Sequence, residues 1–211
     1  MRVAAEILDR ATDQADAGSE PYRLRSPRRR IVETLLQIGR DRQVGGSIED
    51  FSGNPQKPLY DLNHATERVA AAVETARRLP FPFTLTARAE NFLRGNPNLE
   101  DTIRRLQAFE AAGADVLMAP GLPDLAAVRT VCAALSRPFN FMAGVKGRSF
   151  PVAELAGAGV KRISLATSLY RAAMSGLVNA AREVKDHGTF GYVDTTMATP
   201  ELNGYMRGTG D

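Results

Sequence analysis

The chain has 211 residues, 44% of them hydrophobic and 24% charged, which suits one sizeable core with the balance of an ordinary globular protein. A net charge of only +3 gives no general argument for nucleic acid, and no apolar run reaches bilayer length, so neither nucleic acid nor a membrane is expected as a partner. The single cysteine, Cys132, cannot close an internal disulfide, and Arg2, Glu6, Asp9 and Arg10 stand where a signal peptide would carry its apolar core; a cytoplasmic location is expected.

Residues 1–43 stand apart from the rest. Val3 to Thr12 reads as a short helix with Val3, Ile7, Leu8 and Ala11 on one side. Gln14 to Arg30 then holds Gly18, Pro21, Pro27 and a cluster of arginines, with Tyr22 and Leu24 as its large apolar residues. That composition favours a loop. The cluster has two readings, an anionic contact or a solvated arm; no aromatic ladder or nucleic-acid motif accompanies it, which favours the arm. Ile31, Leu35 and Ile38 resume a helical pattern.

From Val44 to residue 211 the chain alternates. Val44-Gly45-Gly46-Ser47-Ile48 is a short strand ending in Glu49-Asp50. A helix follows, with Asn63 as its expected cap, Val69, Val73 and Ala76 inward, and Pro80 as its stop. The second strand starts at Phe83 as Phe-Thr-Leu-Thr and ends abruptly in Arg88, Glu90 and Asn91. Asn98 caps the next helix, Glu100 and Asp101 suit its first turn, Ile103, Leu106 and Phe109 face inward, and Gly113 closes it.

Asp115 to Ala119, Phe139 to Ala143 and Arg162 to Ala166 read as three further strands. Between them lie helices on Leu125, Val128 and Val131, and on Val152, Leu155 and Ala156. A long helix from about Leu169 to Lys185 carries Leu177, Ala181 and Val184 on one face, and a short one runs near Pro200 to Met206. Five strand–helix units in series imply a parallel sheet. Its form stays open at this point: an open α/β sheet, or a barrel lacking its first part, since a closed (β/α)₈ barrel needs three more strands.

Several stretches resemble the isocitrate lyase/phosphoenolpyruvate mutase superfamily. They are Gly45-Gly46-Ser47-Ile48-Glu49-Asp50, Thr86-Ala87-Arg88-Ala89-Glu90-Asn91-Phe92-Leu93, Ala111-Ala112-Gly113-Ala114-Asp115-Val116-Leu117, Ala119-Pro120-Gly121-Leu122, Phe141-Met142-Ala143-Gly144 and Gly159-Val160-Lys161-Arg162-Ile163-Ser164-Leu165. Their order matches strands four to eight of that family's barrel. The resemblance implies an α/β fold of the (β/α)₈ TIM-barrel type, incomplete, over 44–211.

It also implies a Mg²⁺-dependent enzyme, with Mn²⁺ as a substitute, that stabilises an enolate or related oxyanion. By position, Glu49 matches the acid that supports the metal, commonly through water. Arg88 matches the arginine that holds the substrate's acidic group, and Asn91 beside it is a second substrate-binding candidate. Glu49 and Arg88 are thus the expected catalytic pair. A hard cation wants carboxylate oxygen, and a guanidinium fork suits a carboxylate or phosphonate.

The chain also departs from the family. The paired aspartates at the end of strand three have no counterpart, and the loop from Phe51 to Leu59 is short and lacks the cysteine-bearing sequence of isocitrate lyases. Residues 14–43 occupy the place of strand three, and are read as a reading-frame disturbance inside a gene model that starts too late. The coding DNA checks this reading.

Two functions are carried forward. One is a carbon–carbon lyase acting on a substituted di- or tricarboxylate, a small-molecule substrate, in a homo-oligomer. The other is a partial barrel, inactive as it stands; a phosphonate mutase or hydrolase is a third, weaker reading. His64 and His187 read as surface residues, Cys132 as an inert helix-face thiol, and Lys146-Gly147-Arg148 as a mobile loop.

Overall fold

The computed structural model describes residues 44–207. The expectations for residues 1–43, both the arginine-rich segment and the reading-frame disturbance, lie outside the described residues.

Five strands form one sheet in the order β1-β2-β3-β4-β5, every neighbouring pair parallel. They are β1 (Gly45–Glu49), β2 (Thr84–Arg88), β3 (Val116–Met118), β4 (Phe139–Met142) and β5 (Arg162–Ser164). Helices α1 (Leu62–Ala76), α2 (Leu99–Ala111), α3 (Leu125–Ala133) and α4 (Val152–Gly157) connect successive strands. After β5 come α5 (Ser168–His187) and α6 (Thr199–Met206). This is the α/β, barrel-type succession expected, and it is incomplete: among the described residues, the outer edges of β1 and β5 have no strand partner.

Alternation along each strand sorts the side chains. Leu85, Ala87, Leu117, Phe139 and Phe141 point toward the helices and are fully buried. They meet Val69 of α1, Leu106 and Phe109 of α2, Val128 and Val131 of α3, and Leu155 of α4. Each large side chain so buried contributes about 1.5–3 kcal/mol, which is how short strands of three to five residues stay in register.

The caps explain where the helices begin. Asn98 accepts the Asp101 amide, as expected. For α1 the expectation was wrong by two residues: Asp61, not Asn63, accepts the amide of His64 at 2.9 Å. A carboxylate two positions earlier satisfies the same orphan donors with more charge.

The face shared by Leu177, Ala181 and Val184 of α5 is not part of the core. Leu177 and Val184 are exposed and no residue of the helix is buried. Its apolar spacing is real, but among the described residues no element covers that face. No helix among the described residues is long and apolar enough to cross a membrane.

Candidate active site

Strand register brings the expected pair together. Glu49 ends β1, Arg88 ends β2, and the two residues are partners across the ladder. Arg88 Nε lies 3.6 Å from Glu49 Oε2. Parallel pairing of strands that both end at this rim places the two side chains on the same face.

That face lines a hollow of about 900 Å³ between β1 and β5. Thr86 and Arg88 of β2, Met118 of β3, Asn140 and Met142 of β4, and Ser164 of β5 border it. Asn140 Nδ2 donates to Ser164 Oγ at 3.0 Å and touches Met118 Sδ at 3.2 Å. The wall is therefore mixed: two thioethers, several hydroxyls, one amide and the two guanidiniums of Arg88 and Arg162. It suits a small polar anion better than an apolar ligand.

Three acids crowd the rim, and their surroundings give them different work. Asp50 is buried. Its Oδ1 accepts the Glu90 amide at 2.8 Å, and its Oδ2 accepts Arg105 Nη1 at 3.1 Å. Burial pushes the Asp50 carboxyl above its ordinary range, although the Glu90 amide and Arg105 pull the other way. Glu90 is wholly buried; Oε1 accepts Arg88 Nε and Oε2 accepts Arg94 Nε at 3.0 Å. The Glu49 side chain, in contrast, keeps 40% of its surface exposed.

Behind the rim lies a second layer. Arg105 of α2 donates Nη1 to the Tyr60 carbonyl at 2.9 Å and Nε to Asp101 Oδ2 at 2.8 Å. Asn91 Nδ2 donates to the same Asp101 oxygen at 2.8 Å. Burial would raise Asp101, but Arg105, Arg104 and Asn91 outweigh it and hold the carboxyl down at about 2. Asn91 itself is fully buried beneath the rim and does not border the hollow; among the described residues its Oδ1 has no hydrogen-bond partner.

The sequence reading missed Arg105, Asp101, Arg94 and Tyr60. Arg105 left one signal: it falls between Thr102 and Phe109 on the buried stripe of α2, where an unpaired cation has no place. The loop Phe51–Leu59 is pinned by an antiparallel bridge between its ends and by Ser52, which receives and gives bonds within the loop. Asn54 and Lys57 lie in this exposed turn, with Asn54 Oδ1 accepting the Gln56 amide. Arg148 donates to the Gly121 carbonyl at 2.7 Å, so the Lys146-Gly147-Arg148 stretch is tied to the turn after β3.

A metal ion has one plain point of attachment here. Among the described residues no three His, Cys, Asp or Glu side chains converge as a cage. Asp50 and Glu90 are committed to arginines and a backbone amide, which leaves Glu49. Mg²⁺ commonly keeps several waters and takes only one or two carboxylates, so a single open carboxylate fits it as a partial ligand set.

The family model for phosphoenolpyruvate phosphomutase matches residues 25–185. Among solved structures, a Burkholderia cenocepacia J2315 protein with a provisional lyase/mutase designation shares 42% identity, covering 87% of this chain and 66% of its own, at a TM-score of 0.82. A second protein from that organism, provisionally a phosphonomutase, shares 32% identity over 75% of this chain and 64% of its own, at 0.65. A 2,3-dimethylmalate lyase shares 25% identity over 83% of this chain and 62% of its own, at 0.70. The chain thus spans less than two thirds of the length of each of these structures. No curated protein matches it.

Proposed function

The chain belongs to the phosphoenolpyruvate mutase/isocitrate lyase superfamily, and from that premise we propose that it is a Mg²⁺-dependent carbon–carbon lyase for a substituted di- or tricarboxylate. The superfamily includes lyases, mutases and hydrolases acting on carboxylates or phosphonates. The observation that carries the reading is the pairing of Arg88, which borders the hollow, with Glu49 3.6 Å from it.

Arg88 gives the anion its grip. Its Nε is taken by Glu90, and among the described residues neither terminal nitrogen has a hydrogen-bond partner. Two parallel N–H donors are what a substrate carboxylate accepts from a guanidinium. Glu49 beside it is the residue that would help hold a Mg²⁺ ion, with Mn²⁺ as a substitute. Bound there, the cation would supply Lewis-acid stabilisation of the oxyanion that forms as the C–C bond breaks. Asn91 supports the rim from below, through Asp101, and keeps the Glu90 turn in shape.

In retro-aldol cleavage of a 2-hydroxy acid the hydroxyl gives up its proton to a base, and its oxygen becomes the carbonyl of the keto or aldehyde acid released. The C–C bonding pair stays on the carbon next to a carboxylate as an enolate, which is then protonated. Positive charge fixed at that carboxylate lowers the barrier, because Arg88 needs no reorganisation as the charge develops. The wall of hydroxyls and thioethers fits the uncharged part of such a substrate.

The test is turnover. Purified protein is incubated with a panel of 2-hydroxy di- and tricarboxylates, with Mg²⁺ or with a chelator, and the keto or aldehyde acid released is trapped as a hydrazone. Mg²⁺-dependent release that Arg88→Ala abolishes is expected. No release by cooperatively folded protein overturns the reading. Phosphonopyruvate in the same panel, followed by phosphorus NMR, separates a phosphonate mutase or hydrolase.

A second reading has its own observation. Among the described residues the outer edges of β1 and β5 have no strand partner and no element covers the apolar face of α5, which suits a partial barrel that is silent alone. The apolar face of α5 equally suits the homo-oligomer expected of an active enzyme. A discrete oligomer with a cooperative melt but no turnover favours the silent form.

A further inference from the structure

We propose that Glu90 is the positioning residue for Arg88 and that Arg94 couples this pair to the loop Phe51–Leu59. The inference rests on the reading of Arg88 as the anion grip, but the clamp has a readout of its own.

Glu90 is a carboxylate with no exposed surface, an expensive thing to bury without compensation. Both its oxygens are used. Oε1 takes Arg88 Nε and Oε2 takes Arg94 Nε. Its backbone amide is held by Asp50, and Asp50 by Arg105. The carboxylate is thus fixed at both ends before any ligand arrives. Holding Arg88 by Nε leaves its terminal nitrogens to face outward, and a long side chain that would otherwise sample many rotamers is set in one.

Arg94 adds the coupling. Its guanidinium lies over the Phe51 ring, 3.6 Å from the centroid, while its Nε stays on Glu90. Phe51 begins the loop that Leu59 ends, and the two residues bridge. One carboxylate therefore ties the anion-gripping arginine to the first residue of the rim loop. A shift of that loop pulls on Arg94, and through Glu90 on Arg88.

The sign of the effect separates this role from a bystander's. A buried negative charge beside Arg88 repels an incoming anion. Were Glu90 only a neighbour, Glu90→Gln would remove that repulsion and tighten anion binding. As a clamp, it weakens binding: glutamine offers one acceptor, and its amide hydrogens face one of the two arginine Nε–H donors. About a tenfold loss is expected.

The experiment uses oxalate with Mg²⁺, by titration calorimetry, on wild type, Arg88→Ala, Glu90→Gln and Phe51→Leu. In parallel, the ligand-free proteins are followed by the ¹H–¹⁵N signals of the arginine Nε–H groups, with a thermal melt for each. Expected are two protected Nε–H signals in wild type, loss of at least one in Glu90→Gln, and weaker oxalate binding in that variant. Phe51→Leu keeps every charge, guards against misfolding of Glu90→Gln, and should weaken oxalate about threefold while exposing the Arg94 signal. Unchanged Nε–H signals in Glu90→Gln, or tighter oxalate binding, overturn the clamp. Unchanged binding and signals in Phe51→Leu overturn the coupling. If wild type ignores oxalate, or Arg88→Ala binds as well, the functional reading fails, and the Nε–H signals alone decide the clamp.

Discussion

Arg105 reaches from the buried stripe of α2 to Asp50 at the end of β1, with Nη1 3.1 Å from Oδ2 across fifty-five positions of sequence. Both side chains are nearly sealed, 9% and 1% exposed. A charge pair this deep gains little net stability as a whole, but it is costly to break from one side. Arg105→Met should cost about 3–5 kcal/mol, because it strands the Asp50 carboxylate among apolar neighbours. The double variant Arg105→Met/Asp50→Asn should recover part of that loss. Denaturant titrations of the two single variants and the double variant give the coupling directly; additive losses would deny that the pair acts as a unit.

Asp101 sets an acid limit on the fold. Three donors hold its carboxyl down at about 2, from a usual value of 3.8. A carboxyl depressed on folding stabilises the native state fully above its unfolded pKa, and loses that contribution as pH falls through the folded one. The window is therefore about pH 4 to pH 2, and the contribution at neutral pH is about 2 kcal/mol. Asp50 moves the opposite way, since burial raises it: the native state takes its proton early, so that group alone favours folding as the medium is acidified. Asp101→Asn should lower stability at pH 7 and flatten the dependence between pH 4 and 2. Melts across that range check it; an unchanged slope would show that another group carries the acid loss.

The parts of this protein legible in its sequence are those governed by local rules. Period-two alternation in Thr84–Arg88 and turn residues such as Gly113 gave the strand–helix succession, and charges at strand ends marked Glu49 and Arg88, whose expected roles came from the family resemblance. What escaped depends on who stands opposite. Arg105 is on an apolar stripe because Asp50 waits there, and no periodicity records that. Likewise α5 has the spacing of a buried helix, from Tyr170 through Leu177 to Val184, but spacing does not say what covers it. Asn63 and Asp61 are both good caps by composition, and the start of the first turn chose between them.

The grip assigned to Arg88 predicts an asymmetry between two conservative changes. Arg88→Lys keeps the charge but replaces a planar fork with a single ammonium, and it breaks the Nε bond to Glu90. kcat/KM for the lyase substrate should fall by about a hundredfold. Glu49→Gln leaves Arg88 in place and should chiefly raise the Mg²⁺ concentration needed for half-maximal rate. Steady-state kinetics with Mg²⁺ varied separates the two, and a Lys variant as active as wild type would remove Arg88 from the mechanism.

Closing strain is predicted at Gly159. It has a φ of +101°, where L side chains are strained, and a Cβ there would lie 2.9 Å from Cys132 Cβ. Gly159→Ala should therefore cost about 1–3 kcal/mol, from backbone strain and overpacking together. The double variant Gly159→Ala/Cys132→Gly removes the clash but keeps the strain, so it isolates the two. Equal stability of Gly159→Ala and wild type would mean that the turn before β5 relaxes freely.

The apolar face of α5, uncovered among the described residues, makes the last prediction. Tyr170, Leu177 and Val184 recur at helical spacing, and Leu169 and Val178 flank them, all exposed. A twenty-residue helix with no buried residue cannot hold its place by propensity alone, because most helical stability in proteins comes from packing an apolar face. So large a patch in water drives association. The protein should therefore run well above its 22.8 kDa chain mass by size exclusion with light scattering at micromolar concentration. Leu177→Glu, which puts a charge at the centre of the face, should shift the species toward monomer and lower the melting temperature. A wild type that stays monomeric at tens of micromolar, or a variant with an unchanged profile, would show that this face is covered from within the chain.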